Sequence, residues 1–340
     1  MTTRPATEQY GIGAEQTEQA LYAAVEAARH APSLHNAQPW RWRIAGRIAE
    51  LYADSARAVP VADPLGREQR LSCGAALEHA RIALAAAGWH VLITRLPDPD
   101  RPDLIARLHL AGRTEPDTGT MELAAAIPHR RSDRRPYAPD PVPDAAVTAL
   151  VEAALHENAA LLPVTDPDQR IQLAVLASRA ATIQEGEPGY AEELARWTGT
   201  RPDAAGVVPG VVPHLEQPRH SDVPLRDWAL RTPGTLATAP GVDEQPLWCL
   251  LATDTDTVAD QVRAGEALAR VLLTAASLGL ATSVQSQPVE VPGIRLQLEH
   301  WLLAGLGHLQ ALVRVGWPDP DAAPQAAAPR RALTDILSTD

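Results

Sequence analysis

Ala31-Pro-Ser-Leu-His-Asn-Ala-Gln-Pro-Trp40 follows directly on Val25-Glu-Ala-Ala-Arg-His30. It holds two prolines, a Ser, an Asn, a Gln and a Trp, and no charge except what its histidine can carry. A plain surface connector would be more polar and less aromatic. The hexapeptide before it returns as Val151-Glu-Ala-Ala-Leu-His156, changed at one position. There the chain continues instead as Glu157-Asn-Ala-Ala-Leu-Leu-Pro-Val-Thr-Asp166. The unusual stretch therefore follows one copy of the hexapeptide and is missing after the other.

A second echo points the same way. Gly74, Ala76, Leu77 and Gly88 are matched by Gly265, Ala267, Leu268 and Gly279, and both Gly pairs are 14 residues apart. Each pair frames an Ala/Leu-rich helix that ends on a glycine cap. Two echoes in one order predict a duplicated unit. The offset is 126 residues between the first landmarks and 191 between the second, so the second copy carries about 65 extra residues. They include the Pro/Gly-rich segment around 186–240, with Trp197 and Trp228. Linker and lid are both open readings of it, and the tryptophans favour a lid packed on something.

The predicted elements are helices over 17–30, 72–87, 143–156, 168–184 and 260–279. Trp40–Ile44 and Arg47–Ala53 form a hairpin around Ala45-Gly46, and strands are expected at His90–Leu96, Leu247–Thr253 and, as the last, Ala311–Val315. No Gly-x-Gly-x-x-Gly follows a strand and no regular β-α-β cadence appears, so a Rossmann domain is disfavoured and an α+β class is expected. The expected halves are 1–125 and 126–340.

Composition narrows the function classes. The net charge is -12, which argues against a nucleic-acid or anionic-membrane binder. No lysine or phenylalanine occurs. The start of the chain lacks an apolar h-region, and the longest apolar run, near 268–284, is broken by Arg270, Thr274 and Ser277. A soluble cytoplasmic protein is expected. Cys73 and Cys249 fit neither a disulfide framework nor a metal site, and the histidines lack ligand spacing. Ile127-Pro-His-Arg-Arg-Ser-Asp-Arg-Arg-Pro-Tyr137 places four arginines around Ser132. It reads either as a charge-neutralising turn or as a phosphate site, where guanidinium forks bind bidentately.

Taken together, the 31–40 stretch, the arginine cluster and the terminal Pro329-Arg330-Arg331 resemble the flavin-binding signatures of the nitroreductase superfamily, and of its Acg subgroup over nearly the whole chain. In that family Arg-x-Ser normally precedes the Pro-Ser-x-x-Asn segment, whereas here each half holds one of the two. The resemblance implies a nitroreductase-like α+β fold with two pseudo-symmetric halves, a homodimer fused into one chain. It implies one FMN site drawn from both halves. Arg130, Ser132 and Arg134 would hold phosphate and ribityl chain, with Arg131 helping through its backbone and Arg330 or Arg331 closing the phosphate site. Pro32, Ser33, Leu34 and Asn36 would face the isoalloxazine, while Gln38 and Trp40 pack the turn. Ser283, Gln285, Ser286 and Gln287 would lay backbone over the ring. The implied chemistry is hydride transfer from NAD(P)H to FMN and on to a nitro compound or quinone, with no obligatory protein acid, base or nucleophile. Two other readings stay open, an FMN-storage protein and a scaffold that binds no flavin. His35 reads equally as a loop residue facing solvent and as part of the flavin segment.

Overall fold

A computed structural model of the chain describes residues 13–214, 221–228, 233–238 and 246–339. The first twelve residues, and parts of the 186–240 segment expected to form a lid, lie outside the described residues. The first part of the chain runs α1 (Ala14–Ala28), β1 (Trp40–Ala45), β2 (Ile48–Ala53), α2 (Arg67–Ala86), β3 (Trp89–Arg95), β4 (Leu104–Arg113) and α3 (Thr118–Ala126). It continues with α4 (Asp144–Leu155), β5 (Ala160–Val164), α5 (Pro167–Glu185), α6 (Tyr190–Arg196), β6 (Leu247–Thr253), α7 (Val258–Ser277) and β7 (Ala281–Gln285). Then come α8 (Gln287–Glu290), α9 (Pro292–Leu302), β8 (His308–Gly316), α10 (Leu333–Ile336) and β9 (Leu337–Thr339).

Two sheets result, in the orders β3-β4-β2-β1-β9 and β5-β6-β8-β7. Matching β1, β2, β3 and β4 to β5, β6, β7 and β8 makes the two orders the same, and every matched pair is antiparallel. The register slips at Leu51/Tyr52 in one sheet and at Leu251/Ala252 in the other. A bulge at the matched place bends both sheets alike. The chain's last strand, β9, crosses back to pair in parallel with β1 of the first sheet.

Helices α2 and α7 cross at the centre, and the paired glycines explain how closely. A Cβ on Gly74 would sit 2.0 Å from the Val262 carbonyl oxygen, and one on Gly265 would sit 2.0 Å from that of Leu71. Only a hydrogen fits at either position, so backbone lies against backbone. Both helices end as their sequences suggest, with Gly88 at φ +77° and Gly279 at φ +76° in the left-handed region. Helix α7 begins on a reciprocal Thr257/Asp260 capping box. Beside the crossing, Glu78, Glu157 and Glu266 are buried against Arg81, Arg95 and Arg270, and Arg95 Nε lies 2.6 Å from Glu266.

The core has one part on each sheet. Trp40, Trp42, Leu51, Leu77 and Leu108 bury the first sheet against α1 and α2. Leu150, Leu251, Leu272 and Val313 bury the second against α4 and α7. Its other face packs on α5 and α9 through Leu173, Trp248, Leu298 and Leu312. That double burial is why β6 and β8 read as continuous apolar runs. By contrast β3 alternates buried and exposed positions.

Some expectations are corrected. Ala311–Val315 lies inside β8 and is not the last strand, because the three-residue β9 is too short to leave a periodic signal. Helix α2 starts at Arg67, before the predicted residue 72, since its first turn is polar yet buried. Strands β4, β5 and β7 add to the predicted set. Their Ala, Gly, Pro and Gln content lowers strand propensity, and tertiary pairing overrides it.

Candidate functional site

A cavity of about 330 Å³ lies beside the helix crossing, within the size range of small-molecule sites. Its floor is apolar, with Leu71 on α2, Leu268 on α7 and Val284 on β7.

One wall is the turn 32–36 behind α1. His35, Asn36 and Gln38 all take positive φ, at +50°, +52° and +52°. Left-handed backbone at three non-glycine residues persists only where the surroundings hold it. Here Ser33 Oγ accepts from the Gln38 N–H at 3.0 Å, and Ser72 Oγ accepts from the Leu34 N–H at 3.2 Å. Gln38 donates to the Ala204 carbonyl at 3.0 Å and accepts from the Arg331 N–H at 2.8 Å. Asn36 donates to the carbonyls of Gly206 and Pro329 at 3.0 and 3.1 Å, and its oxygen accepts from Arg330 at 2.6 Å. The Asn36 amide thus ties together the turn, the inserted segment and the C-terminal strap. Trp40 is fully buried below.

The opposite wall is the arginine loop. Asp133 N–H donates to Thr282 O at 2.8 Å, joining the loop to the edge at β7. Arg314, fully buried, donates to the Arg135 carbonyl at 2.9 Å and stacks 3.5 Å from the Tyr137 ring centre. Arg135 turns away to an ion pair with Asp133 at 2.6 Å. That leaves Arg130, Arg131, Ser132 and Arg134 lining the cavity, with Arg330 arriving from the C-terminal strap. Arg130 is 4 % exposed, and its Nε and one terminal nitrogen have no hydrogen-bond partner, like Nε of Arg131 and of Arg330. No carboxylate pairs with Arg130, Arg131 or Arg330 among the described residues. Burial, then the neighbouring guanidiniums, push Arg130 down to about 9. Arg134 and Arg330 are each lowered to about 10, chiefly by burial. All three stay cationic at neutral pH, and among the described residues Arg130 and Arg330 have no carboxylate partner, so the wall concentrates positive charge in an acidic protein.

The remaining boundary comes from two later segments. Gly206, Val207, Val211 and Trp228 of the insertion line the cavity, as do Gln325–Ala328 of the strap. Trp197 and Ala205 anchor the insertion on Ala37, Val59 and Ala62. The Trp228 ring meets His35 edge to face at 5.1 Å, and the guanidiniums of Arg134 and Arg226 lie 5.2 and 5.4 Å from its centre. Arg226 is itself buried in a 2.5 Å ion pair with Glu290. His35 and Glu68 face the cavity from this side.

The cavity thus gathers Pro32, Ser33, Leu34, Asn36, Arg130, Arg131, Ser132, Arg134, Ser286 and Arg330. Ser283, Gln285 and Gln287 are buried beside it, outside its lining, and Gln285 donates to Ser283 Oγ at 3.2 Å. Arg331 points away to the carbonyls of Gln38, Trp40 and Asp335. Of the two terminal arginines, only Arg330 reaches the site. His35 is buried in the wall and does not face solvent. Sequence reasoning missed His30, Glu68, Ser72, Trp228 and Gln325 as lining residues. Glu68, Leu71 and Ser72 share one face of α2, a spacing visible in the sequence had the helix been started at Arg67.

The family model described as "Nitroreductase family" matches residues 127–317. The chain is 35% identical over 323 residues to the "Putative NAD(P)H nitroreductase Rv3131" of Mycobacterium tuberculosis, covering 91% of this chain and 88% of that one. The chain belongs to the nitroreductase family. This nitroreductase-family protein is also 32% identical to the "Putative NAD(P)H nitroreductase acg" of the same organism, over 94% of this chain and 96% of that one. Among solved structures, a nitroreductase with bound FMN from Bacteroides fragilis matches with a TM-score of 0.35 and 16% identity, over 59% of this chain and 91% of that one. No described helix is long and apolar enough to cross a membrane.

Proposed function

We propose that the cavity binds FMN and that the protein is an NAD(P)H-dependent flavin oxidoreductase acting on nitro compounds or quinones. The observation that carries the reading is the set of buried guanidinium N–H groups, partnerless and without a carboxylate, on one wall of a cavity with an apolar floor. A buried cation without a counter-ion costs stability, and a phosphate supplies both the charge and the bidentate acceptors. Arg130, Arg131, Ser132, Arg134 and Arg330 would take the phosphate and ribityl end. Pro32, Ser33, Leu34 and Ser286 would lie along the isoalloxazine, over Leu71, Leu268 and Val284. Asn36 would act by fixing Arg330, because its own amide is engaged.

FMN, when bound, supplies the two-electron redox chemistry. The protein's part is to bind it, exclude water and orient the second substrate. We also infer that the chain is a fused dimer with one surviving site. The matched strand orders, the matched bulges and the Gly74/Gly265 crossing support this. Behind the second hexapeptide the chain enters β5 directly, so a second copy of the turn is missing there.

A storage protein is the second reading. The insertion favours it, since Gly206, Val207, Val211 and Trp228 wall one side of the cavity and leave less room for a nicotinamide beside a bound flavin. The visible spectrum, followed by anaerobic addition of NADH or NADPH, separates the readings. A yellow protein that bleaches within seconds is the expected outcome; yellow without bleaching marks storage, and a colourless protein that refuses FMN defeats both. The Arg130→Ala/Ser132→Ala variant should bind FMN at least about 100-fold more weakly, from the loss of charge-assisted hydrogen bonds. Retained flavin would refute the assignment of the arginine wall.

A further inference from the structure

Among the described residues, the buried glutamates have partners, with one exception. Glu50 meets Arg43, Arg107 and the Tyr52 hydroxyl, and Glu290 meets Arg226. Glu193 accepts from the N–H groups of Val61 and Ala62, and Glu299 pairs with Arg295. Glu78, Glu157 and Glu266 share three arginines. Glu68 is 6 % exposed and lines the cavity, yet its carboxyl has no ion pair or hydrogen bond among the described residues. Neighbouring Arg67 is committed to Gln310 at 2.7 Å and to Asp256 at 3.5 Å. His35 repeats the pattern, since it is 4 % exposed, lines the same cavity and has both ring nitrogens buried without a partner. Buried polar groups are ordinarily satisfied. Two unsatisfied ones facing one cavity are donors and acceptors waiting for a ligand.

We propose that Glu68 is the acid of this site: its carboxyl hydrogen-bonds an oxygen of an uncharged acceptor, a quinone carbonyl or a nitro group, and passes it a proton, while His35 orients that oxygen. The inference rests on the reductase reading above and adds a protein acid to it. A quinone that receives a hydride, ultimately from the nicotinamide, gains an electron pair and one hydrogen, and needs one further proton to become the hydroquinone. The Glu68 O–H bond breaks, its proton forms the new bond to the acceptor oxygen, and its electron pair remains as the carboxylate. Solvent then reprotonates it. A nitro group given the same hydride and proton loses water to the nitroso product.

The surroundings keep the acid loaded. Burial first, then the charge of Asp63, push Glu68 up to about 8 against the opposing pull of Arg67 and Arg226, with Glu290 adding to the rise. His35 faces Arg226, Glu290 and Arg134, and burial lowers it to about 3, so its ring is neutral. A neutral carboxyl beside a neutral imidazole suits an uncharged oxygen better than an anion.

The test uses holoprotein reduced with dithionite, so that nicotinamide is not needed, and follows its anaerobic reoxidation by 1,4-naphthoquinone. Glu68→Gln keeps the shape and a hydrogen-bond donor but has no proton to give. The expected result is reoxidation slowed by about 100-fold at saturating quinone. Naphthoquinone affinity, by calorimetry on the oxidised protein, should move less than about threefold, whereas Glu68→Ala should weaken it by about tenfold, the loss of one hydrogen bond. The wild-type rate should fall as pH rises through about 8, a limb absent in Glu68→Gln. The infrared difference spectrum of wild type minus Glu68→Gln at neutral pH should show the carbonyl band of one protonated carboxyl, over any band from Glu266, which is itself raised to about 7. Reoxidation of Glu68→Gln at the wild-type rate, a wild type that naphthoquinone does not reoxidise, or no such infrared band would each overturn the proposal. Failure to bleach with NAD(P)H, with these results intact, would instead defeat only the nicotinamide part of the reductase reading.

Discussion

At the scale of single residues, the site is built from groups that reduce the stability of the empty protein. Among the described residues, the buried Arg130 lies beside the half-buried Arg330 with no counter-ion for either, and Glu68 is buried without a partner. Such strain is expected where function outweighs stability. For Glu68 the sign follows from linkage. Its folded pKa, about 8, lies above the ordinary 4.5, so the folded state holds the proton longer than the unfolded one. Stability is full below about 4.5 and falls as pH rises toward 8. Glu68→Gln removes that loss. Its melting temperature should exceed the wild type's by about 3 °C or more at alkaline pH, and the gap should shrink toward acidic pH. A gap independent of pH would contradict a raised carboxyl. The role proposed for the arginine loop starts from residue types, because four arginines around a Ser suggest a phosphate. Residue types alone do not choose among them; the family resemblance names Arg130, Arg131 and Arg134 and leaves out Arg135, which Asp133 diverts.

At the scale of elements, the glycine echo proves to be the helix crossing. Gly265→Ala must push a methyl into the Leu71 carbonyl, and α2 and α7 would have to part. We expect a loss of more than about 4 kcal/mol, read by urea unfolding or as insoluble protein. Gly293→Ala in α9 meets nothing within 4 Å and should stay within about 0.5 kcal/mol. Equal losses in the two variants would show that the crossing is not what requires Gly265. The elements with long periodic patterns were legible, among them α5, α7 and the β1–β2 hairpin. Others were not, for a physical reason. Strand β9 exists because β1 offers it an open edge, and the first turn of α2 is polar because Glu68 faces the cavity while Arg67, Gln69 and Arg70 bond Gln310, the Asp54 carbonyl and Gln261. Those two departures from pattern mark where tertiary structure and function override local signal.

At the scale of the whole molecule, two sheets of matched order share one helix crossing, but the walls of the cavity come from unlike places. The turn follows α1, the arginine loop follows α3, and the strap that brings Arg330 ends as a strand in the first sheet. The sequence carried that asymmetry as a motif present after one hexapeptide and missing after the other. The insertion's role in walling the cavity depended on where Trp228 lands, which its own sequence does not encode. The proposed fused pair with one complete site predicts a number. Titration of the flavin-free protein with FMN, followed by visible absorbance, should saturate at one FMN per chain in the wild type and show no saturable binding in the same range for Arg130→Ala/Ser132→Ala. Two FMN per chain, or one per chain undiminished in that variant, would contradict it.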